Sequence, residues 1–357
     1  MKVETGYGET WLGNVADRVR AAEEAGFDAI TTGELKHNSI LALTLAAEHS
    51  ERLELCTGVT IAFPRTPMIM AQTAWDLQEF SKGRINIGLG SQVKGHNVRR
   101  FGGSWTGPAQ RMEDYIGFMR AVWRSWQDGE KPNYASKNYS YSLMTPAFNP
   151  GPIDYPFPKI SLASVGPRMA EAAGFCADGL RPHGFMTEKY LRETLLPAVK
   201  KGADRAGRNV DDLEISVGGF NAFGETDSEV EQAIDALRRP ISFYGSTRSY
   251  HGVFRAHGME SLGMQLYELS TKGQWDKMLD AVNFETALEM ANACTYDDLP
   301  GFAREHFDYA NRISFAMPDH KRGGGAAMYG GDASKDVSAP GPSEERIKWL
   351  MKELKDL

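Results

Sequence analysis

The chain has 357 residues, 41% of them hydrophobic, and 40 Lys and Arg against 47 Asp and Glu give a formal net charge of −7. That length accommodates one large barrel or two ordinary domains, and the negative balance argues against a nucleic-acid partner. No apolar run approaches the ~18 residues of a membrane helix, and the N-terminal MKVETGYGE lacks the apolar core of a signal peptide. A soluble, cytoplasmic protein is expected. Cys56, Cys176 and Cys294 are far apart, odd in number and set in apolar segments. They read as reduced, buried thiols and not as a disulfide frame or a metal site.

In chain order, a short strand over 2–5 leads to an amphipathic helix over 12–25, stopped by Gly26. FDAITTGE is strand two, followed by a helix over 40–51. LELCTGVTIA is strand three and RINIGLGS strand four, with the helix PMIMAQTAWDLQEFS between them. Both strands are apolar runs bounded by turn residues, as expected of strands buried on both faces. Each is interrupted at its carboxyl end, the first by Gly58, the second by Gly88 and Gly90. Glycine in a strand marks a bulge or a close approach by a ligand or another backbone. In a parallel α/β sheet that end is where ligands bind.

A helix over 108–126 precedes an irregular, aromatic-rich stretch, 133–158, whose YSYSL core suits an extra strand. A loop of that length reads as a lid or wall. KISLAS is strand five, GPRMAEAAGF a short helix, ADGLRP strand six, 187–206 a helix and LEISVGGFNAFG strand seven. Helices over 227–238 and most of 243–290 form a long excursion before RISFAMP, strand eight. Eight strands alternating with helices predict a (β/α)8 TIM barrel with insertions and a C-terminal extension. The barrel is expected over 1–320, with insertions at about 128–158 and 240–295. A flexible Gly-rich tail is expected over 321–357. It ends in a helix, SEERIKWLMKELKDL, with a serine N-cap, early glutamates and late lysines. Trp349, Leu350 and Leu354 give that helix one apolar face, to dock on its own barrel or on a second subunit.

Residues just past the strand ends are the candidate site. These are Gly33, Glu34, Lys36, His37 and Asn38 after strand two, then residues 57–63 and Arg65 after strand three. Ser91, Gln92, Lys94, His96 and Asn97 follow strand four. Ala163, Ser164, Gly166 and Pro167 follow strand five, Arg181 and His183 strand six, and Asn221 strand seven. The ASVGP turn offers free N–H groups and the Ser164 hydroxyl to a phosphate at a helix N-terminus. An ordinary βα turn with proline at N1 has the same pattern. No metal-ligand spacing and no nucleophile elbow stands out. His37 and His96 are best placed for proton transfer, because imidazole titrates near neutral pH. A barrel with open strand ends and a phosphate seat, but no nucleophile or metal, points to a bound cofactor that does the chemistry.

AEEAGFDAITTGE, TGVTIAFPRTPMIMAQTAWDLQEFSKGRINIGLGS, PKISLASVGPRMAEAAGFCADG and PISFYGSTRSYHGVFRAHGM together resemble the bacterial luciferase-like superfamily of flavin- and deazaflavin-dependent barrel enzymes, up to about residue 318. The last of them resembles most the branch that uses 8-hydroxy-5-deazaflavin, coenzyme F420, and the excursion before strand eight is a trait of the superfamily. The resemblance implies a non-prolyl cis peptide at Gly58–Val59, next to Thr57, behind the cofactor's central ring. It implies Gly90, Ser91 and Gln92 at the ring's edge, and Ala163, Ser164, Gly166 and Pro167 around the ribityl phosphate. Glu34 and His37 stand where the branch carries an acid and a histidine, at a different spacing. The glutamate that several deazaflavin dehydrogenases carry after strand four is absent, with Gln92, Val93 and Lys94 there and His96 beyond.

The implied function is hydride transfer between F420 and a fairly apolar organic small molecule, with His37, His96 and Glu34 as catalytic residues. Arg65, Lys94 and Arg181 are expected around the cofactor's anionic tail, and Tyr139, Tyr141 and Phe148 as a substrate wall. A homodimer through the helices next to strands two and three is also implied, with no nucleic-acid or membrane partner and no metal. The alternatives are an FMN-dependent two-component monooxygenase of the same superfamily and a non-catalytic cofactor-binding protein.

Overall fold

Eight short parallel strands, with helices in the connections between them, wind round a common axis in the computed structural model, which describes residues 1–6, 12–317, 341–355 and 357. They are β1 (Lys2–Gly6), β2 (Ala29–Thr32), β3 (Glu54–Thr57), β4 (Ile85–Gly90), β5 (Lys159–Ser164), β6 (Gly179–Pro182), β7 (Glu214–Ile215) and β8 (Arg312–Phe315). Each pairs with the next from β1 to β7, and β8 pairs with β1. A parallel bridge from Ser216 to Arg312 closes the ring. The molecule is a (β/α)8 barrel.

Side chains alternate across each strand with period two. The outward set, Val3, Ile30, Leu55, Ile87, Ile160, Leu162, Leu180 and Ile313, is buried beneath the helices. The inward set is charged, which the apolar look of β3 and β4 does not announce. Glu4 accepts from Arg181 at 2.8 and 3.1 Å and from Arg312 at 3.0 Å. Arg312 also donates to Glu54 and Glu214, each at 2.8 Å. Lys2 reaches the same two carboxylates at 2.8 and 3.0 Å, and Asn86 donates to Glu54 at 2.8 Å. Buried charges persist only when paired and hydrogen-bonded in this way. Burial alone would raise these carboxyls. The cations override it, holding Glu4 and Glu54 below their ordinary value and Glu214 at about 2.

The helices begin where the sequence supplies caps. In α1 (Val15–Ala25) the last turn closes on Gly26. The side chain of Asn38 accepts from Ile40 N at the start of α2 (Ser39–Glu48), and that of Thr66 from Ile69 N at the start of α3 (Pro67–Phe80), where Pro67 sits in the first turn. A short α4 (Lys94–Arg99), which the sequence pattern did not suggest, precedes α5 (Pro108–Gln127). After α6 (Pro167–Cys176) and α7 (Leu196–Ala206), the excursion is built from α8 (Asp227–Gly245), α9 (His251–Ala256), α10 (Glu260–Thr271), α11 (Trp275–Ala281) and α12 (Phe284–Glu289).

Three readings are corrected. The expected strand seven is two elements: only Glu214–Ile215 joins the barrel, and Phe220–Gly224 pairs in parallel with Ala291–Thr295 in a separate two-stranded sheet. The chain turns out of the barrel at Gly218 and Gly219, where Gly219 has φ +98° and Asn292 donates to the Gly218 carbonyl at 3.0 Å. In the insert, Tyr134–Ala135 and Ser140–Tyr141 form a hairpin. Its Tyr139 and Tyr141 rings pack on Phe118 of α5 at 6.3 and 5.5 Å, so these two cover a helix, whereas Phe148 is exposed and stands apart from them. Finally, the three cysteines are unpaired but not all buried: Cys56 is enclosed in the barrel, whereas Cys176 and Cys294 are half-buried.

The terminal helix α13 (Glu344–Lys355) docks on its own barrel, burying Ile347, Leu350, Met351 and Leu354. Lys355 pairs with Asp28 at 2.8 Å, Arg346 with Glu225 at 2.7 Å, and the amino terminus donates to the Lys355 carbonyl at 3.4 Å. The glycine-rich stretch read as a flexible linker falls largely on 318–340, outside the described residues. Among the described residues, no helix is long and apolar enough to cross a membrane.

Candidate active site

The carboxyl end of the barrel is organised by a break in β3. After Thr57 the Gly58–Val59 peptide is cis, and the chain resumes as Thr60–Ile61, which pairs with Leu89 and Gly90 of β4. The glycines make room for this bulge. A Cβ on Gly88 would lie 1.8 Å from the Thr57 carbonyl oxygen, one on Gly90 2.5 Å from Val59 Cγ2, and one on Gly58 2.5 Å from Thr31 Cγ2. The close approach is therefore by the protein's own chain. Main-chain and hydroxyl bonds pin it: Gly58 N donates to Thr32 O at 2.7 Å, Thr57 Oγ1 to Gly88 O at 2.8 Å and Ala62 N to Gly90 O at 2.9 Å. Gly58 itself is exposed, so the bulge presents bare main chain at the barrel mouth.

Glu34 props this bulge from the loop just after β2. Its carboxylate accepts from Ile61 N at 2.7 Å and takes both Arg65 terminal nitrogens, at 2.5 and 2.9 Å. Arg65 in turn donates to the Ile61 carbonyl at 2.8 Å. Of the cations expected around a cofactor tail, Arg65 is thus paired with Glu34, and Arg181 lies inside the barrel on Glu4. Both guanidinium groups make paired bonds to a single carboxylate, Glu34 for Arg65 and Glu4 for Arg181. Lys94 of the same expected group is exposed.

After β4, Gln92 adopts φ +57° and its side chain accepts from Val93 N at 2.8 Å. Ser91 Oγ donates to Gln92 O at 3.1 Å. Buried Asn97 donates to Ser91 O and Val93 O at 2.8 and 3.2 Å, fixing the loop from α4. His96 projects from the same short helix and is exposed, as is His37 after β2. The two loops meet where Arg100 donates to the Leu35 carbonyl at 2.9 Å.

After β5, Ala163 is half-buried, and buried Ser164 donates to the Gly166 carbonyl at 3.0 Å. Gly166 starts α6 with no side-chain cap, Pro167 follows in the first turn, and a Cβ on Gly166 would meet nothing within 4 Å. An uncapped, open helix start next to a buried hydroxyl suits an anion.

The candidate residues thus form two clusters, Thr57, Gly58, Val59, Gly90 and Glu34 on one side and Ala163, Ser164, Gly166 and Pro167 on the other. His37 and His96 stand on the exposed rim. His183, noted in the sequence only as a strand-end residue, is bonded through its N–H to the Ser164 carbonyl at 3.2 Å. Burial lowers its imidazole to about 4. The signal available in the sequence was its place directly after β6.

The fold and site describe a (β/α)8 barrel with a long helical excursion before β8. The family model described as luciferase-like monooxygenase matches residues 2–293, and the chain belongs to that family. It is 40% identical over 293 residues, 82% of this chain and 86% of the other, to an uncharacterized protein of Mycobacterium tuberculosis. It is 31% identical over 224 residues, 62% of this chain and 59% of the other, to phthiodiolone/phenolphthiodiolone dimycocerosates ketoreductase of Mycobacterium kansasii. Among solved structures, the coenzyme F420 dependent tetrahydromethanopterin reductase from Methanopyrus kandleri shares the fold, with a TM-score of 0.72 at 20% identity over 99% of this chain and 98% of that one.

Proposed function

We propose that this protein is an oxidoreductase that moves a hydride between coenzyme F420 and a fairly apolar organic substrate carrying a carbonyl or alcohol group. The observation that carries the reading is the bare ledge of Gly58–Val59 and Gly90 at the same end of the barrel as the uncapped helix start at Gly166. A planar ring needs the first and its phosphate the second. When bound, the deazaflavin supplies the hydride chemistry. Thr57, Gly58 and Val59 would back the ring, Gly90, Ser91 and Gln92 its edge, and Ala163, Ser164, Gly166 and Pro167 its phosphate.

His37 and His96, exposed on the rim, would exchange protons with solvent. Glu34, held by Arg65, would set the bulge's position. The ketoreductase relative supports a carbonyl substrate. Leu41 and Ile69, 53% and 55% exposed on α2 and α3, support a homodimer through those helices. The family description favours a second reading, a reduced-FMN-dependent monooxygenase.

Titration of the purified chain with F420 and with FMN tests both. F420 binding below about 100 μM, about −5.5 kcal/mol, with FMN weaker, is the expected result. FMN binding with oxygen consumption would replace the first reading by the second, and binding of neither would refute both.

A further inference from the structure

His183 stands in a setting that the assignments above leave unused. Its ring is held edge-on by Tyr244 of α8 at 4.5 Å and by Tyr250, just before α9, at 5.1 Å between centroids. Phe185 N donates to its Nδ1 at 2.9 Å. A ring nitrogen that accepts carries no proton, so this bond assigns the proton of the neutral imidazole to Nε2. Among the described residues no hydrogen bond is made by Nε2 or by the Tyr250 hydroxyl, and neither is one of their fully buried unpaired atoms. Both groups are half-buried polar atoms in an aromatic frame. Phe220 closes one side, its ring 3.2 Å from where a Gly184 Cβ would stand, and Phe185 packs behind against Phe254 at 5.1 Å.

The chemistry of this frame selects its ligand. A neutral N–H donor suits a neutral oxygen acceptor, whereas a carboxylate or phosphate calls for a cation or an array of N–H groups. The half-buried faces of Tyr244, Tyr250 and Phe220 favour a flat apolar body beside that oxygen. We infer that His183 and Tyr250 form an oxygen-recognition subsite, in which Nε2–H donates to the oxygen of a ketone or secondary alcohol whose aromatic or alicyclic body lies against Tyr244 and Phe220. This deepens the function proposed above and rests on it for the nature of the substrate, but not for the existence of the subsite. With its lowered imidazole, His183 holds the oxygen as a hydrogen-bond donor and not as a cation at neutral pH. It is a positioning group next to the β5 turn.

The test uses the full chain labelled with 15N-histidine, titrated with acetophenone and, as a body without the oxygen, ethylbenzene, with and without F420 or FMN. Acetophenone is expected to move the His183 Nε2 resonance saturably, and ethylbenzene to leave it in place. His183→Phe should weaken acetophenone binding by about two- to tenfold, the size of one lost hydrogen bond, with cofactor affinity unchanged. His183→Gln, which retains an N–H donor, should recover much of that loss. An Nε2 resonance that acetophenone never moves, or that ethylbenzene moves equally, overturns the subsite. A chain that binds neither cofactor overturns the proposed function instead, and the cofactor-free titration then still decides the role of His183.

Discussion

Glu4→Gln keeps the shape of a fully buried side chain and removes the one carboxylate that faces both Arg181 and Arg312. Glu54 and Glu214 still balance Arg312, but Arg181 has no other acidic partner among the described residues. Stripping one partner from a buried ion pair costs about 3–5 kcal/mol, because the remaining charge stays desolvated. Urea unfolding at pH 7 should therefore give a lower midpoint with an unchanged slope. Adding Arg181→Met should recover part of the loss, since the orphaned cation goes with it.

The pH dependence has a definite sign. Glu4 is depressed in the folded state from its ordinary value of 4.5, so its contribution is complete above that value and fades as pH falls through the folded one. The gap between wild type and Glu4→Gln should be constant from pH 6 to 8 and narrow steadily below about pH 4.5. A Glu4→Gln chain within about 1 kcal/mol of wild type at pH 7, or a gap that widens on acidification, would refute the picture of a tightly paired barrel interior.

Gly88→Ala drives a Cβ to 1.8 Å from the Thr57 carbonyl oxygen and should cost about 1–3 kcal/mol or more in urea unfolding. An unchanged midpoint would mean that the bulge yields freely. Gly166→Ala meets nothing within 4 Å, so stability should hold while affinity for the phosphate-bearing cofactor falls in an equilibrium titration; equal affinity removes the phosphate assignment. Arg65→Met leaves Glu34 with only Ile61 N and should cost about 2 kcal/mol or more of stability together with cofactor affinity, a loss absent if the pair only decorates the surface. His37→Ala and His96→Ala, both at exposed positions, should keep the unfolding midpoint and lower turnover. Unchanged turnover in both ends their catalytic assignment.

The barrel was legible because its strands announce themselves locally: β-branched and apolar runs end in glycine or proline, and amphipathic helices with caps lie between them. The bulge was half legible. Gly58, Gly88 and Gly90 marked the place from composition alone, while the cis peptide came only with the family resemblance. Long-range charge pairing was not legible. Arg181 is 177 residues from Glu4, and nothing local distinguishes a lumen arginine from one that meets a ligand. The same holds for Arg65 and Glu34, which are joined by the bulge and not by helical spacing. His183 owes its surroundings to Tyr244 and Tyr250, some sixty residues away on the excursion, whose helical pattern gave no hint of which strand end it covers. LEISVGGFNAFG read as one strand because its alternation runs through the glycine pair where the chain leaves the barrel.

The contact between the amino terminus and the Lys355 carbonyl makes the two chain ends neighbours beneath the barrel. Connectivity there is a matter of convenience, since β1 and α13 are already held together by packing and by the Lys355–Asp28 pair. A ring-like chain of this kind suits reopening at an exposed turn such as Gly129, with the old ends joined by a short linker. An affinity tag at either terminus, by contrast, emerges against α13 and the first strand, on the opposite face from the carboxyl ends of the strands.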